Sequence, residues 1–213
     1  MKVKKLLVLS LSLIFACGMC AACGNDDSED KTAADSAGSA ASANEIHVSI
    51  DGSDSQGDGS AENPYATMKA AIASIGPGTT IYLHDGEYEP FELDKGASGT
   101  ADAPVLITAA EGEHAIINGK TPDSDGEDIY DIYLENVSNI TIEGLELQAG
   151  THGIAYFSNT DSGDGPLENI TISNCTVHGV RGTHGICVYA ENPKTPVKNF
   201  VMKDCEVYDC QRG

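Results

Sequence analysis

The clearest pattern along the chain is an alternation of apolar and polar residues that recurs at a fixed interval. The segments "NITIEGLELQAG" (139–150), "NITISNCTVHGV" (169–180) and "NFVMKDCEVYDC" (199–210) align without gaps. Asn139, Asn169 and Asn199 open them; Ile140, Ile170 and Phe200 follow, then Ile142, Ile172 and Met202. The second half supplies Leu145, Cys175 and Cys205, then Leu147, Val177 and Val207. A period of two predicts strands with one buried face. The phase slips at Glu143-Gly144, Ser173-Asn174 and Lys203-Asp204, whose second members are types that readily enter the left-handed backbone region. Each copy therefore reads as strand, sharp bend, strand. "THGIAYF" (151–157) and "THGICVY" (183–189) follow the first two copies and predict a third strand per turn.

Such a unit cannot bury its apolar side alone. Stacked on its neighbours at about 4.8 Å it can, with equivalent residues forming columns. The prediction is an all-β solenoid, a right-handed parallel β-helix. The Asn column becomes a ladder in which each side-chain amide bonds the next. Met68, Ala71, Ile72 and Ile75 mark one face of a short helix, capped by Thr67 and stopped by Gly76-Pro77. A helix there would cover the open N-terminal end of the stack. "TTIYLHDGEY" begins the first coil, and "PVLITAA", "AIING" and "IYLENV" supply less regular strands. The third copy ends at "CQRG" with no third strand, so the β-helix is expected to be truncated and to continue beyond Gly213.

The run "IHVSIDGSDSQGDGSAENPYATMKAAIASIGPGTTIYLHDGEY", with "SGTADAPVLITAAEGEHAIING" and "ITIEGLEL", resembles the opening of bacterial β-helix proteins of the pectate-lyase-like superfamily. The resemblance spans residues 45–213 and is specific for the fold. It implies little about the reaction, since the superfamily mixes lyases, hydrolases, epimerases and non-catalytic surface proteins. For the family-nine pectate lyases it implies Ca²⁺ as cofactor, held by aspartates beside a catalytic lysine on central coils.

The front of the chain is different. Three lysines precede an apolar run, Leu6 to Ala16, too short to span a bilayer as a mature helix and typical of a secretory signal. "AACGN" resembles a bacterial lipobox, which implies cleavage after residue 22 and lipidation of Cys23; Cys20 stands where that family prefers Leu, and Cys17 is the alternative. Residues 23–44 hold no large apolar side chain and read as a flexible acidic, Ser/Ala-rich tether. The expected location is extracytoplasmic, on the cell surface, anchored to the membrane through the lipid.

The formal charge is −21, or about −24 once Lys2, Lys4 and Lys5 leave with the leader. That argues against nucleic acid as a partner, which needs cations against phosphates. It also repels polyuronides unless a bound cation or a local basic groove intervenes.

Candidate chemistry is sparse. The two "THGI" motifs set His152 and His184 side by side on successive coils, with His178 and Arg181 on the loop before the second. Imidazoles beside a guanidinium suit an anionic sugar or a shared proton-transfer role. The plainer account, which the residues favour, is that Gly-Ile marks a strand entry and His is a tolerated outward residue. Candidate bases for uronide elimination are Arg181, Lys194, Lys198, Lys203 and Arg212, with Lys198 and Lys203 expected to face solvent. "DCEVYD" brings Asp204, Glu206 and Asp209 and resembles the stretch leading into the lyase cation site, yet no compact Asp cluster stands beside a base. A complete lyase site is not expected within these residues. Asp51, Asp54 and Asp58 depart from calcium-loop spacing and read as a polar turn. Cys175 and Cys205 belong to the inward column, where thiols pack as small apolar groups; no zinc spacing links them, Cys187 or Cys210. Two functions lead, a surface protein acting on extracellular acidic polysaccharide or a carbohydrate-binding adhesin without catalysis, and a purely structural wall protein ranks below both.

Overall fold

A computed structural model of the chain describes residues 44–120, 128–159, 166–190, 192 and 194–211. The leader, Cys23, the tether up to residue 43 and Arg212 lie outside the described residues. Among the described residues the alternation becomes fifteen short strands. In chain order they are β1 (Glu45–Val48), β2 (Thr80–Leu83), β3 (Gly86–Tyr88), β4 (Phe91–Leu93), β5 (Val105–Ala109), β6 (Ala115–Asn118), β7 (Tyr130–Glu135) and β8 (Ile140–Glu143). The rest are β9 (Glu146–Gln148), β10 (His152–Ser158), β11 (Leu167–Ser173), β12 (Thr176–His178), β13 (His184–Ala190), β14 (Val197–Lys203) and β15 (Glu206–Tyr208). From β2 onward every third strand returns to the same sheet, and all strand pairs are parallel. Sheet I runs β1-β2-β5-β8-β11-β14, sheet II β3-β6-β9-β12-β15 and sheet III β4-β7-β10-β13. This is the predicted right-handed parallel β-helix.

The columns form as the repeat requires. Ile140, Ile170 and Phe200 are register partners, as are Ile107, Ile142, Ile172 and Met202. Leu147, Val177 and Val207 stack in sheet II, and Ile132, Ile154 and Ile186 in sheet III. From Ile81 to Ile172 these positions have no exposure, while on the last strands Met202 and Val207 are exposed. Cys175 is buried in its column and Cys205 packs against the core; both thiols are free.

Turns follow the residues that permit them. Gly144, Asn174 and Asp204 take positive φ (68°, 52° and 55°) at the bend between sheets I and II. The three ladder asparagines do so as well, Asn139 just before β8 and Asn169 and Asn199 within β11 and β14. Asn169 Nδ2 donates to Asn139 Oδ1 at 2.8 Å and Asn199 Nδ2 to Asn169 Oδ1 at 3.0 Å. One residue type thus turns the backbone and ties successive coils.

The start of the domain departs from expectation in two details. Residues 45–48 already form β1, paired with β2, so sheet I begins ahead of the helix. The helix, α1 (Met68–Ile72), is shorter than predicted, because Ser74 and Ile75 donate to Ala71 and Ile72 in tight turns before Gly76. Met68 and Ala71 are buried at the end of the stack, and Ile75 still packs on the core. Thr67 Oγ1 accepts from Ala70 N as the cap. The Asp54 carboxylate accepts from the amides of Ala66 and Thr67 and from the Thr67 hydroxyl, which holds it below the usual carboxylate range. That acidic stretch is a structural turn, as read.

Candidate functional site: the outer face of sheet III

Sheet III gathers the candidate side chains on its outer face because of a slip in its alternation. A Cβ on Gly153 would run into the Val177 methyl and the Gly185 carbonyl, so this position faces inward. The next residue, Ile154, is also in the core. Outward positions are therefore His152, Ala155 and Phe157 on β10, and His184, Cys187 and Tyr189 on β13. The register lines them into three columns along the axis: Tyr130–His152–His184, Tyr133–Ala155–Cys187 and Glu135–Phe157–Tyr189.

The columns touch. Tyr130 stacks on His152 with centroids 4.6 Å apart, and His152 on His184 at 6.1 Å. Phe157 stacks on Tyr189 at 4.6 Å and leans against Tyr133 at 5.0 Å. Ala155 lies fully buried among them, while the rings of Tyr130, Tyr133, Phe157 and Tyr189 remain partly exposed. The result is a half-buried plate of aromatic faces with phenol edges. Burial raises the phenol pKa values of Tyr130 and Tyr133, keeping both as donors.

Polar groups converge at one edge of the plate. Burial lowers the pKa of His152, against the opposing pull of the Asp128 carboxylate, whose Oδ1 is 3.6 Å from Nε2. The Thr183 hydroxyl is 3.1 Å from His152 Nδ1, and the Tyr189 hydroxyl 3.2 Å from His184 Nδ1. One donor atom each from His152, His184 and Cys187 lies within 4.8 Å of the others.

Behind the same edge is Asp131, the register equivalent of Gly153 and Gly185. It has no exposure, and neither carboxylate oxygen has a hydrogen-bond partner. Burial pushes its pKa up to about 8, partly offset by the neighbouring amides of Gly119 and Gly150.

The expected partners of the imidazole pair are elsewhere. His178 closes β12 and points out of sheet II, so it does not join His152 and His184 as the spacing implied. Its Nε2 lies 2.9 Å from Glu146 Oε1 and its ring stacks on Tyr208 at 5.0 Å. Glu146 Oε2 is 2.7 Å from His114 Nε2. The hydrogen bond with His178, opposed by some burial and aided by His114, holds the Glu146 carboxyl below the ordinary range. Arg181 lines a hollow of about 280 Å³ with Asp209, Cys210 and Gln211. No hydrogen bond or ion pair joins its guanidinium to the three imidazoles among the described residues. The turn after Gly179 (φ 64°), with Val180 buried, separates these groups. Lys198 and Lys203 are exposed on β14, as expected, Asp204 forms a bend and Glu206 is exposed on β15. Carboxylates suited to Ca²⁺ do not gather among the described residues; the grouped donors are the two histidines and Cys187.

The model of the Pel9A-like, right-handed β-helix region matches residues 46–211. The chain belongs to this family. Two curated relatives of this Pel9A-like chain are 32% identical to it. Pectate lyase PEL9 of Emericella nidulans aligns over 142 residues, 61% of this chain and 33% of that protein. The uncharacterized protein YwoF of Bacillus subtilis aligns over 119 residues, 56% of this chain and 24% of that one. The chain thus spans a third or less of the length of these relatives. Among solved structures, the GH136 lacto-N-biosidase from Eubacterium ramulus superposes with a TM-score of 0.61 at 18% identity, covering 80% of this chain and 35% of that one. Pectate lyase Pel9A gives 0.52 at 23%, covering 67% and 35%. Both share the fold of the Pel9A-like chain.

Sequence reasoning missed the aromatic columns. Phe157 and Tyr189 stand five residues after each His of "THGI", a regularity visible in the sequence. Tyr130 and Tyr133 lie in "IYDIYLE", which does not resemble "THGI".

Proposed function

We infer that this chain is part of an extracytoplasmic protein that binds acidic polysaccharide along the outer face of sheet III. The observation that carries the reading is the aromatic plate, whose columns run parallel to the solenoid axis over three coils. Sugar rings present apolar C–H faces that pack on half-exposed aromatic rings, and their hydroxyls pair with phenol and imidazole edges. The family, and a relative named as a pectate lyase, support a uronide as the sugar. In the whole protein, elimination is the reaction this reading carries, with Ca²⁺ as the cation that offsets the repulsion between an acidic chain and a polyuronide. The leader and the lipobox-like "AACGN" support anchoring to the membrane through Cys23.

The charge of −21 favours a second reading, an adhesin that binds a glycan without cleaving it. Incubating the full-length protein with polygalacturonate, with and without Ca²⁺, separates the two. Growth of unsaturated-product absorbance supports the lyase. Retention on the polymer without absorbance supports the adhesin, and neither on any uronide sinks both. Labelling by a lipid precursor that survives Cys23→Ser would move the anchor to Cys17, and absence of labelling in the unaltered protein would contradict the anchor itself.

A further inference from the structure

We propose that His152, His184 and Cys187 bind a transition-metal ion of the zinc class, with the Asp128 carboxylate as fourth ligand. The backbone makes the cluster. His152 and His184 are register partners on adjacent coils, and Cys187 lies three residues along β13. A Cβ on Gly185 would meet the Val207 methyl inside the solenoid, so the slip there returns Cys187 to the outer face shared with His184.

The donor atoms already lie within 4.8 Å of one another. Tetrahedral zinc, with ligands at about 2.0–2.3 Å, needs donor separations of roughly 3.3–3.8 Å. Tilting two stacked imidazoles and turning one thiol closes that gap. Asp128 is exposed and its Oδ1 is 3.6 Å from His152 Nε2, so its carboxylate can turn toward an ion held by that imidazole. Outer partners are in place: the Thr183 and Tyr189 hydroxyls lie against the Nδ1 atoms and orient the rings.

Two imidazoles, a thiolate and one carboxylate form a borderline-soft set that selects zinc-class ions over Ca²⁺. The ion would clamp the coil of β10 to that of β13 at the edge of the aromatic plate. The proposal does not rest on the carbohydrate reading and fails independently of it.

Binding displaces the thiol proton to solvent, so affinity rises with pH. The test is titration of metal-free full-length protein with Co²⁺. One equivalent should develop a thiolate-to-cobalt charge-transfer band, displaced by Zn²⁺ and not by Ca²⁺. Cys187→Ser should abolish the band, and His184→Ala should weaken binding by more than about tenfold. His114→Ala, on sheet II, should change neither. In the unaltered protein Zn²⁺ should shield Cys187 from iodoacetamide, read by peptide mapping, which needs no variant to fold. Absence of the band, its survival in Cys187→Ser, or alkylation of Cys187 unaffected by Zn²⁺ overturns the proposal.

Discussion

Sheets II and III each display histidines on their outer faces, and they use them in opposite ways. On sheet II, His114 and His178 share the two oxygens of Glu146, and Asn118 and Gln148 turn their amides toward Glu87. Polar demand there is met within the face. On sheet III, His152 and His184 face hydroxyls, a thiol and each other beside partly exposed rings. Register decides the difference: His178 stands over Gln148 and reaches Glu146, which lies beneath Thr176, whereas His152 stands over the Tyr130 ring. In a solenoid, function is written across coils rather than along the chain.

The largest effect that probes this contrast lies at the corner joining the two faces. Asp131 is buried there with its folded pKa raised to about 8. The folded state then holds a proton that the unfolded chain releases near pH 4. Its contribution is fully present below that value and is lost as pH rises through about 8, a decline of a few kcal/mol. Denaturant titrations across that range should show the decline in the natural protein and much less of it in Asp131→Asn. Next is Gly153→Ala, whose Cβ meets a backbone carbonyl that cannot withdraw; about 1–3 kcal/mol should be lost in the same assay. Smallest is Glu146→Gln on sheet II. It removes a mostly surface interaction of at most about 1 kcal/mol, one present above the ordinary Glu pKa and lost as pH falls through the lowered one. Thermal melts at neutral pH should move slightly, and the difference should shrink as the pH is lowered until the Glu146 carboxyl is protonated in the folded protein.

The solenoid was legible because its repeat is local in sequence: the columns, the left-handed bends, the Asn ladder and the third strand all stand in the aligned copies. Pairing of His152 with His184 was legible for the same reason. Separation of His178 was not, since which face a strand end presents depends on the turn at Gly179 and Val180. Tyr130 and Asp131 escaped because their coil, "IYDIYLE", replaces the "HGI" entry with unlike residues. Only register reveals that Asp131 occupies the corner where later coils place glycine.

The claim that sheet III is the ligand face is tested most directly by calorimetric titration of oligogalacturonides into the unaltered protein, Tyr189→Ala, Phe157→Ala and Tyr208→Ala. Loss of either sheet III ring should weaken binding about tenfold, near 1.4 kcal/mol, while loss of the sheet II ring leaves it unchanged. Equal affinity in all four proteins, or a loss confined to Tyr208→Ala, would contradict it.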